Sequence, residues 1–137
     1  MFDSKLQSYI NNTFIDSAGK EINNINPSDG KIIKGKIGKD LSLEDGQKAS
    51  KLCVVNILAQ VKKAMDGNLD NVKNCIKITG FVNSSDDFID QPKVINPASE
   101  TLSFVFGESG KHTRAAVSTN SLPLGAAVEI DAIFEVK

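Results

Sequence analysis

Hydrophobic and polar positions alternate most regularly near the end of the chain. From Val128 to Val136 the even positions Val128, Ile130, Ala132, Phe134 and Val136 are apolar; Glu129, Asp131 and Glu135 are charged, and Ile133 is the exception. A period of two predicts a half-buried strand whose carboxylates share the face away from the core. The stretch that opens at Arg114 reads as a preceding strand, joined to it by a Pro/Gly turn at Pro123 and Gly125.

Helical periodicity is clearest between Ser42 and Gly67. Ser42 with Asp45 three residues later forms a capping-box variant. Val54, Ile57, Leu58, Val61 and Met65 then recur at helical spacing and define one buried face. Leu52, Val55 and Ala59 are expected to widen that face, and Gly67 to stop the helix.

A long strand is predicted from Val72 to Asn83, with Val72, Ile76, Ile78 and Val82 on one face and Lys73, Cys75, Lys77, Thr79 and Phe81 on the other. A second helix follows and ends before Gly107. Pro92 or Pro97 suits its first turn, and Asn96 before Pro97 would serve as an N-cap. Earlier in the chain, Thr13 to Ser17 reads as a short strand, and the turn-rich segment from Asn23 to Gly30 separates it from a returning strand over Lys31 to Ile37. Residues 1–12 carry no predicted element.

The order strand, strand, helix, strand, helix, strand, strand predicts an α+β fold: a single domain over residues 1–137, with a mixed β-sheet and two helices packed on one face. The other sheet face mixes Phe81 and Ile133 with charges, a composition suited to an interface between copies.

Composition narrows the function classes. The chain has 137 residues, 40% hydrophobic and 24% charged, which describes one ordinary globular domain. A net charge of −1 argues against a general nucleic-acid or membrane-surface binder. No apolar run approaches the ~20 residues of a membrane span. The start Met1-Phe-Asp-Ser-Lys5 lacks the shape of a signal peptide, so a cytoplasmic location is expected. Cys53 and Cys75 form no C-x-x-C pair and are expected to be buried free thiols. His112 is the sole histidine and gives no support for a histidine metal cluster; no metal is expected. The segment from Gly107 to His112 is too short for a phosphate loop and reads as a helix-to-strand connection. Lys31, Lys34, Lys36 and Lys39 form a local basic run, the one feature an RNA-binding reading could use.

Arg114, the chain's only arginine, is the first candidate for chemistry. On residue type alone, a strand arginine is more often a surface salt-bridge partner, and Glu129 one more charge on a wet face. Yet a guanidinium on one strand and a carboxylate on the next can build a site. The fork grips a substrate carboxylate, and the acid handles protons.

Several separated motifs now bear on that choice. Arg114-x-x-Val117, Leu122-Pro-x-Gly125 and Val128-Glu-Ile-Asp-Ala132 follow Leu41-Ser-Leu-Glu-Asp-Gly46 and Leu52-Cys-Val-Val-Asn-Ile-Leu58. Between them lie the Val72 to Asn83 strand and Asp87-Phe-Ile-Asp-Gln-Pro-Lys-Val-Ile-Asn96. In this order they resemble the RidA (YjgF) family, and within it a divergent branch labelled endoribonuclease L-PSP-like. The likeness covers roughly Thr13 to Val136; residues 1–12 match poorly.

The resemblance implies a chorismate-mutase-like homotrimer with ligand clefts between subunits. It also implies cofactor-free hydrolysis of 2-imino (2-aminoalkenoic) acids to 2-oxo acids and ammonia. Arg114 falls on the arginine that holds the substrate carboxylate, and Glu129 on the acidic position associated with activating water. Asn96 falls on a cleft-lining asparagine, and Ser17 loosely on a serine at the pocket edge. The implied partners are a small carboxylate metabolite and further copies of the chain. Two departures stand out. Typical members carry a Gly-x-Tyr aromatic wall, with which the only tyrosine, Tyr9, does not align; and Ala115 and Ala116 replace a hydroxyl or thiol often found beside the arginine. The missing aromatic wall keeps open a non-catalytic binding module for small 2-oxo acids or related carboxylates; the branch label and the basic run from Lys31 to Lys39 keep open an endoribonuclease or translation inhibitor.

Overall fold

The computed structural model describes residues 8–10, 13–15, 21–23 and 32–137. Three short strands, β1 (Ser8–Ile10), β2 (Thr13–Ile15) and β3 (Glu21–Asn23), pair antiparallel in that order. β1 lies in a stretch with no predicted element; its Tyr9-Ile10 pair, like Thr13-Phe14-Ile15, favours extended backbone. The predicted partner of β2 is corrected: residues 32–37 form no strand, and only Lys34 and Ile37 make isolated bridges, to Ala126, Leu41 and Ser84. Gly35 interrupts any extended run there, with φ at 128° and its amide bonded to the Gly125 carbonyl.

Helix α1 spans Leu43–Ala64 and starts on the capping box: the Ser42 hydroxyl accepts from the Asp45 amide at 3.1 Å, and the Asp45 carboxylate accepts from the Ser42 amide at 3.3 Å. Bonding to Ser42, and then to Lys48, holds the Asp45 carboxyl below its ordinary range. The buried stripe runs through Gly46, Ala49, Ser50, Cys53, Val54, Ile57 and Leu58. Val55 and Ala59 are exposed, so they do not widen it. Small residues of α1 face inward instead: a Cβ on Gly46 would stand 2.5 Å from Cδ1 of Ile37, in the segment before the helix, and 3.2 Å from Val94 Cγ1.

The principal sheet has β4 (Val72–Asn83) at its centre, β5 (Thr113–Thr119) parallel on one side and β6 (Val128–Val136) antiparallel on the other. Helix α2 (Gln91–Phe106) is the crossover that the parallel β4–β5 pair requires. Both helices bury apolar residues against one face of this mixed sheet, which gives the expected α+β architecture. β5 and β6 follow each other in sequence but do not pair, because β4 lies between them. The turn at Pro123–Gly125 carries the chain past the end of β4, with Leu124 and Gly125 at φ 57° and 71°.

The face assignment of β4 needs correction in its first half. Register irregularities between Val72 and Asn74 and between Cys75 and Lys77 each shift the pairing, so the inward positions run Val72, Cys75, Ile78, Gly80 and Val82. Cys75 is 2% exposed and Ile76 45%, the reverse of strict alternation. Burial pushes the Cys75 thiol up to about 11. Among the described residues neither Cys53 nor Cys75 forms a disulfide, and both thiols are buried, as expected. Among the described residues, no helix is long and apolar enough to cross a membrane.

Gly80 decides how α2 sits. A Cβ there would stand 2.5 Å from both Cγ1 and Cδ1 of Ile95, so the missing side chain is the notch that Ile95 fills. Gly80→Ala should therefore lower stability by about 1–3 kcal/mol through overpacking. Urea unfolding, with the midpoint shifted and the slope unchanged, is the measurement that checks it.

Candidate functional site

The positions of the candidate residues follow from strand register. Arg114, Ala116 and Ser118 of β5 stand opposite Ile78, Gly80 and Val82 of β4, so all six face the helices. With Ile95 seated over Gly80, the next turn of α2 lies above β5. Asn96 Oδ1 accepts from Arg114 Nη1 at 2.9 Å, and Ser99 Oγ accepts from the same nitrogen at 3.3 Å. Two of the predicted site residues, Arg114 and Asn96, thus meet directly.

Asn96 is not an N-cap. Helix α2 begins at Gln91 with Pro92 in its first turn, and Asn96 and Pro97 lie in its interior. Proline at position 97 has no amide to give to the Lys93 carbonyl one turn back. Gln47 of α1 supplies that donor, its Nε2 lying 3.0 Å from Lys93 O. This substitution lets the helix run through Pro97, and Asn96 keeps its side chain for Arg114.

Two further residues complete the cluster. The Ser99 hydroxyl lies 3.0 Å from His112 Nε2, and His112 Nδ1 lies 2.6 Å from the Gly110 carbonyl oxygen. Gly110 is buried against α2, where the Leu102 carbonyl occupies the space a Cβ would need. Sequence reasoning singled out neither Ser99 nor His112 for the site. The signal was spacing: Ser99 lies three residues beyond Asn96 on a helix, and His112 two residues before Arg114 in extended chain.

Glu129 lies elsewhere. It stands opposite Phe81, and Asp131 opposite Thr79, so both carboxylates belong to the sheet face turned away from the helices. Within one chain, Arg114 and Glu129 are separated by the thickness of the sheet and by two strand spacings, roughly 10 Å. The adjacency expected from consecutive strands is therefore corrected, since β4 intervenes. The face that carries Glu129 also presents Val117 and Ile133, 45% and 57% exposed. Ser17 lies outside the described residues. Among the described residues, no group of three His, Cys, Asp or Glu side chains could hold a metal ion.

Ion pairs among the described residues use lysine: Lys48 with Asp45, Lys73 with Glu135, Lys93 with Asp90 and Lys111 with Glu108. The Lys73 and Asn74 bonds keep the Glu135 carboxyl below its ordinary range. Arg114 is held instead by two neutral oxygens.

Comparison with known proteins gives four similarities. Residues 6–135 match the model of the family described as "YjgF/chorismate_mutase-like, putative endoribonuclease". The chain is 43% identical over 108 residues to Protein TCP17 of Trypanosoma cruzi, covering 78% of this chain and 67% of that protein. A crystal structure of a protein of unknown function from Agrobacterium tumefaciens superposes with a TM-score of 0.77 at 49% identity, over 80% of this chain and 70% of the other. A crystal structure titled a putative endoribonuclease, from Shewanella oneidensis, gives a TM-score of 0.77 at 27% identity, over 95% and 83%.

The Gln47 bond offers a direct check on how α2 tolerates its internal proline. Gln47→Leu should cost about 0.5–1.5 kcal/mol in unfolding free energy, the usual worth of one such hydrogen bond.

Proposed function

Because the chain belongs to the YjgF/chorismate-mutase-like family, we propose that its Arg114 site binds a small carboxylate-bearing metabolite and hydrolyses 2-imino acids to 2-oxo acids. The observation that carries this reading is the environment of Arg114. Its Nη1 is held by Asn96 and Ser99, neither of them charged, and among the described residues no carboxylate lies within ion-pair distance of it. A guanidinium held at Nη1, with no carboxylate and no bond at Nε or Nη2 among the described residues, has a fork to offer a substrate carboxylate.

Imine hydrolysis needs water to add to the C=N carbon, a base to take a proton from that water, and protons to reach nitrogen so that ammonia leaves. Glu129 is the candidate base. Since it lies across the sheet from Arg114 in one chain, the two act together only when a neighbouring copy brings its own Glu129 to the cleft. A homotrimer packed through the sheet face that bears Phe81, Val117 and Ile133 provides such clefts and covers apolar surface that a monomer leaves in water. Cytoplasmic residence fits a metabolite of this class. No cofactor enters the reaction.

A second reading, the non-catalytic binding module, is favoured by the same geometry. The Arg114 anchor is complete within one chain, whereas the base is not. The family and the Shewanella protein are both described as putative endoribonucleases; the net charge of −1 weighs against an RNA substrate here.

Three outcomes are expected. Light scattering should return three times the 14.7 kDa chain mass, and Ile133→Lys should lower it. Calorimetry with 2-oxobutanoate should show Arg114→Ala weakening binding roughly tenfold or more. With 2-iminobutanoate generated in situ by an amino-acid oxidase, Glu129→Gln should slow hydrolysis about 10²-fold or more while leaving 2-oxobutanoate affinity in place. Binding with no acceleration over buffer would select the binding module, and a stable monomer would remove the intersubunit base.

A further inference from the structure

We infer that His112 is a positioning residue: acting through Ser99, it fixes the Arg114 guanidinium in one orientation before any ligand arrives. This rests on the carboxylate-anchor reading for its purpose, though not for its geometry. The chain of bonds has a definite direction. A carbonyl oxygen cannot donate, so the 2.6 Å contact to Gly110 O requires the proton on His112 Nδ1. In the neutral ring, Nε2 is then an acceptor, and the Ser99 hydroxyl 3.0 Å away spends its single hydrogen there. The oxygen's lone pairs are left for Arg114 Nη1 at 3.3 Å.

Without His112, a mid-helix serine ordinarily turns its hydrogen to the carbonyl four residues back, here that of Ile95. The hydroxyl would no longer be aimed at the strand. With His112 in place, both Nη1 hydrogens have acceptors, Ser99 Oγ and Asn96 Oδ1. The guanidinium plane is thereby set, and the edge formed by Nε and Nη2 is the one presented. That edge matches a planar group with two oxygens, a carboxylate, better than it matches a monodentate anion. Ordering a flexible side chain in advance also removes part of the entropic cost of binding. The tether ends on packed backbone: Gly110 is buried, with the Leu102 carbonyl where a Cβ would stand.

The composition of the chain makes the test simple. It has one histidine and one arginine, so the imidazole nitrogens and the arginine Nε–H each give a single, self-assigned set of NMR signals. In the wild-type chain the imidazole should be the Nδ1–H tautomer, and the heteronuclear NOE of Arg114 Nε should match that of rigid backbone. Ser99→Ala and His112→Asn should leave the fold intact and make that Nε mobile. Asparagine can still reach Gly110 O but not Ser99. His112→Gln, whose Oε1 can stand in for Nε2, should restore most of the order. Calorimetry with 2-oxobutanoate should follow the same pattern: affinity reduced roughly three- to tenfold in Ser99→Ala and His112→Asn, and largely recovered in His112→Gln. An Nε2–H tautomer in wild type would overturn the inference, as would an Arg114 Nε equally ordered in all four proteins. If wild type fails to bind 2-oxobutanoate, the carboxylate reading falls, while the NMR measurements still decide the role of His112.

Discussion

The seating of Ile95 in the gap left by Gly80 is the contact on which the rest of the molecule depends. A helix crossing a sheet normally rides above it on side chains from both layers. Removing one Cβ at the centre of β4 lets α2 settle locally and fixes its rotation, because Ile95 has only one place to go. Rotation then determines which residues overhang the edge strand. Asn96 and Ser99 come down on Arg114, and Leu102 comes down where Gly110 must pass. A glycine in mid-strand and a proline in mid-helix are each unfavourable locally, and each is compensated by one identifiable neighbour, Ile95 and Gln47.

Much of this fold was legible in the sequence where one physical signal acted alone. The capping box at Ser42 and Asp45 is a local device, and α1 begins on it. Strand β6 buries its first even positions, Val128 and Ile130, half-buries Ala132 and Phe134, and leaves Val136 exposed at the strand's end. The reading failed where periodicity was broken by something non-local. Strict alternation put Cys75 outside and Ile76 inside; two register irregularities against β6 reversed them, and such shifts depend on the partner strand rather than on the residues themselves. Val55 and Ala59 were assigned to the core by a helix pattern that could not know α2 would lie alongside. Asn96 before Pro97 had the form of a cap, yet the donor that lets the helix run through Pro97 sits on Gln47, distant in sequence.

The candidate site shows the same division. Arg114 and Asn96, singled out separately in the sequence, are joined by a 2.9 Å bond. Ser99 and His112 passed unnoticed because a lone serine and a lone histidine are weak signals until a helix is laid across a strand. Glu129 was the more instructive case. Consecutive strands suggest neighbours, but a parallel crossover through α2 places β4 between β5 and β6. Topology rather than spacing separates the guanidinium from the carboxylate.

That separation has a chemical consequence. Were Arg114 and Glu129 in contact within one chain, they would neutralise each other, and the arginine would have no unmatched charge to offer a ligand. Holding the guanidinium with an amide oxygen and a hydroxyl preserves its charge while restricting its motion. Placing the acid on the opposite face keeps it from competing with an incoming carboxylate. A design that brings the two together only across an interface would assemble the catalytic pair and the binding cleft in one step. In such a molecule the anchor is a property of the chain and the chemistry a property of the assembly. A relative that kept the arginine, the asparagine and the serine–histidine tether but lost the interface would still bind, and would have no base.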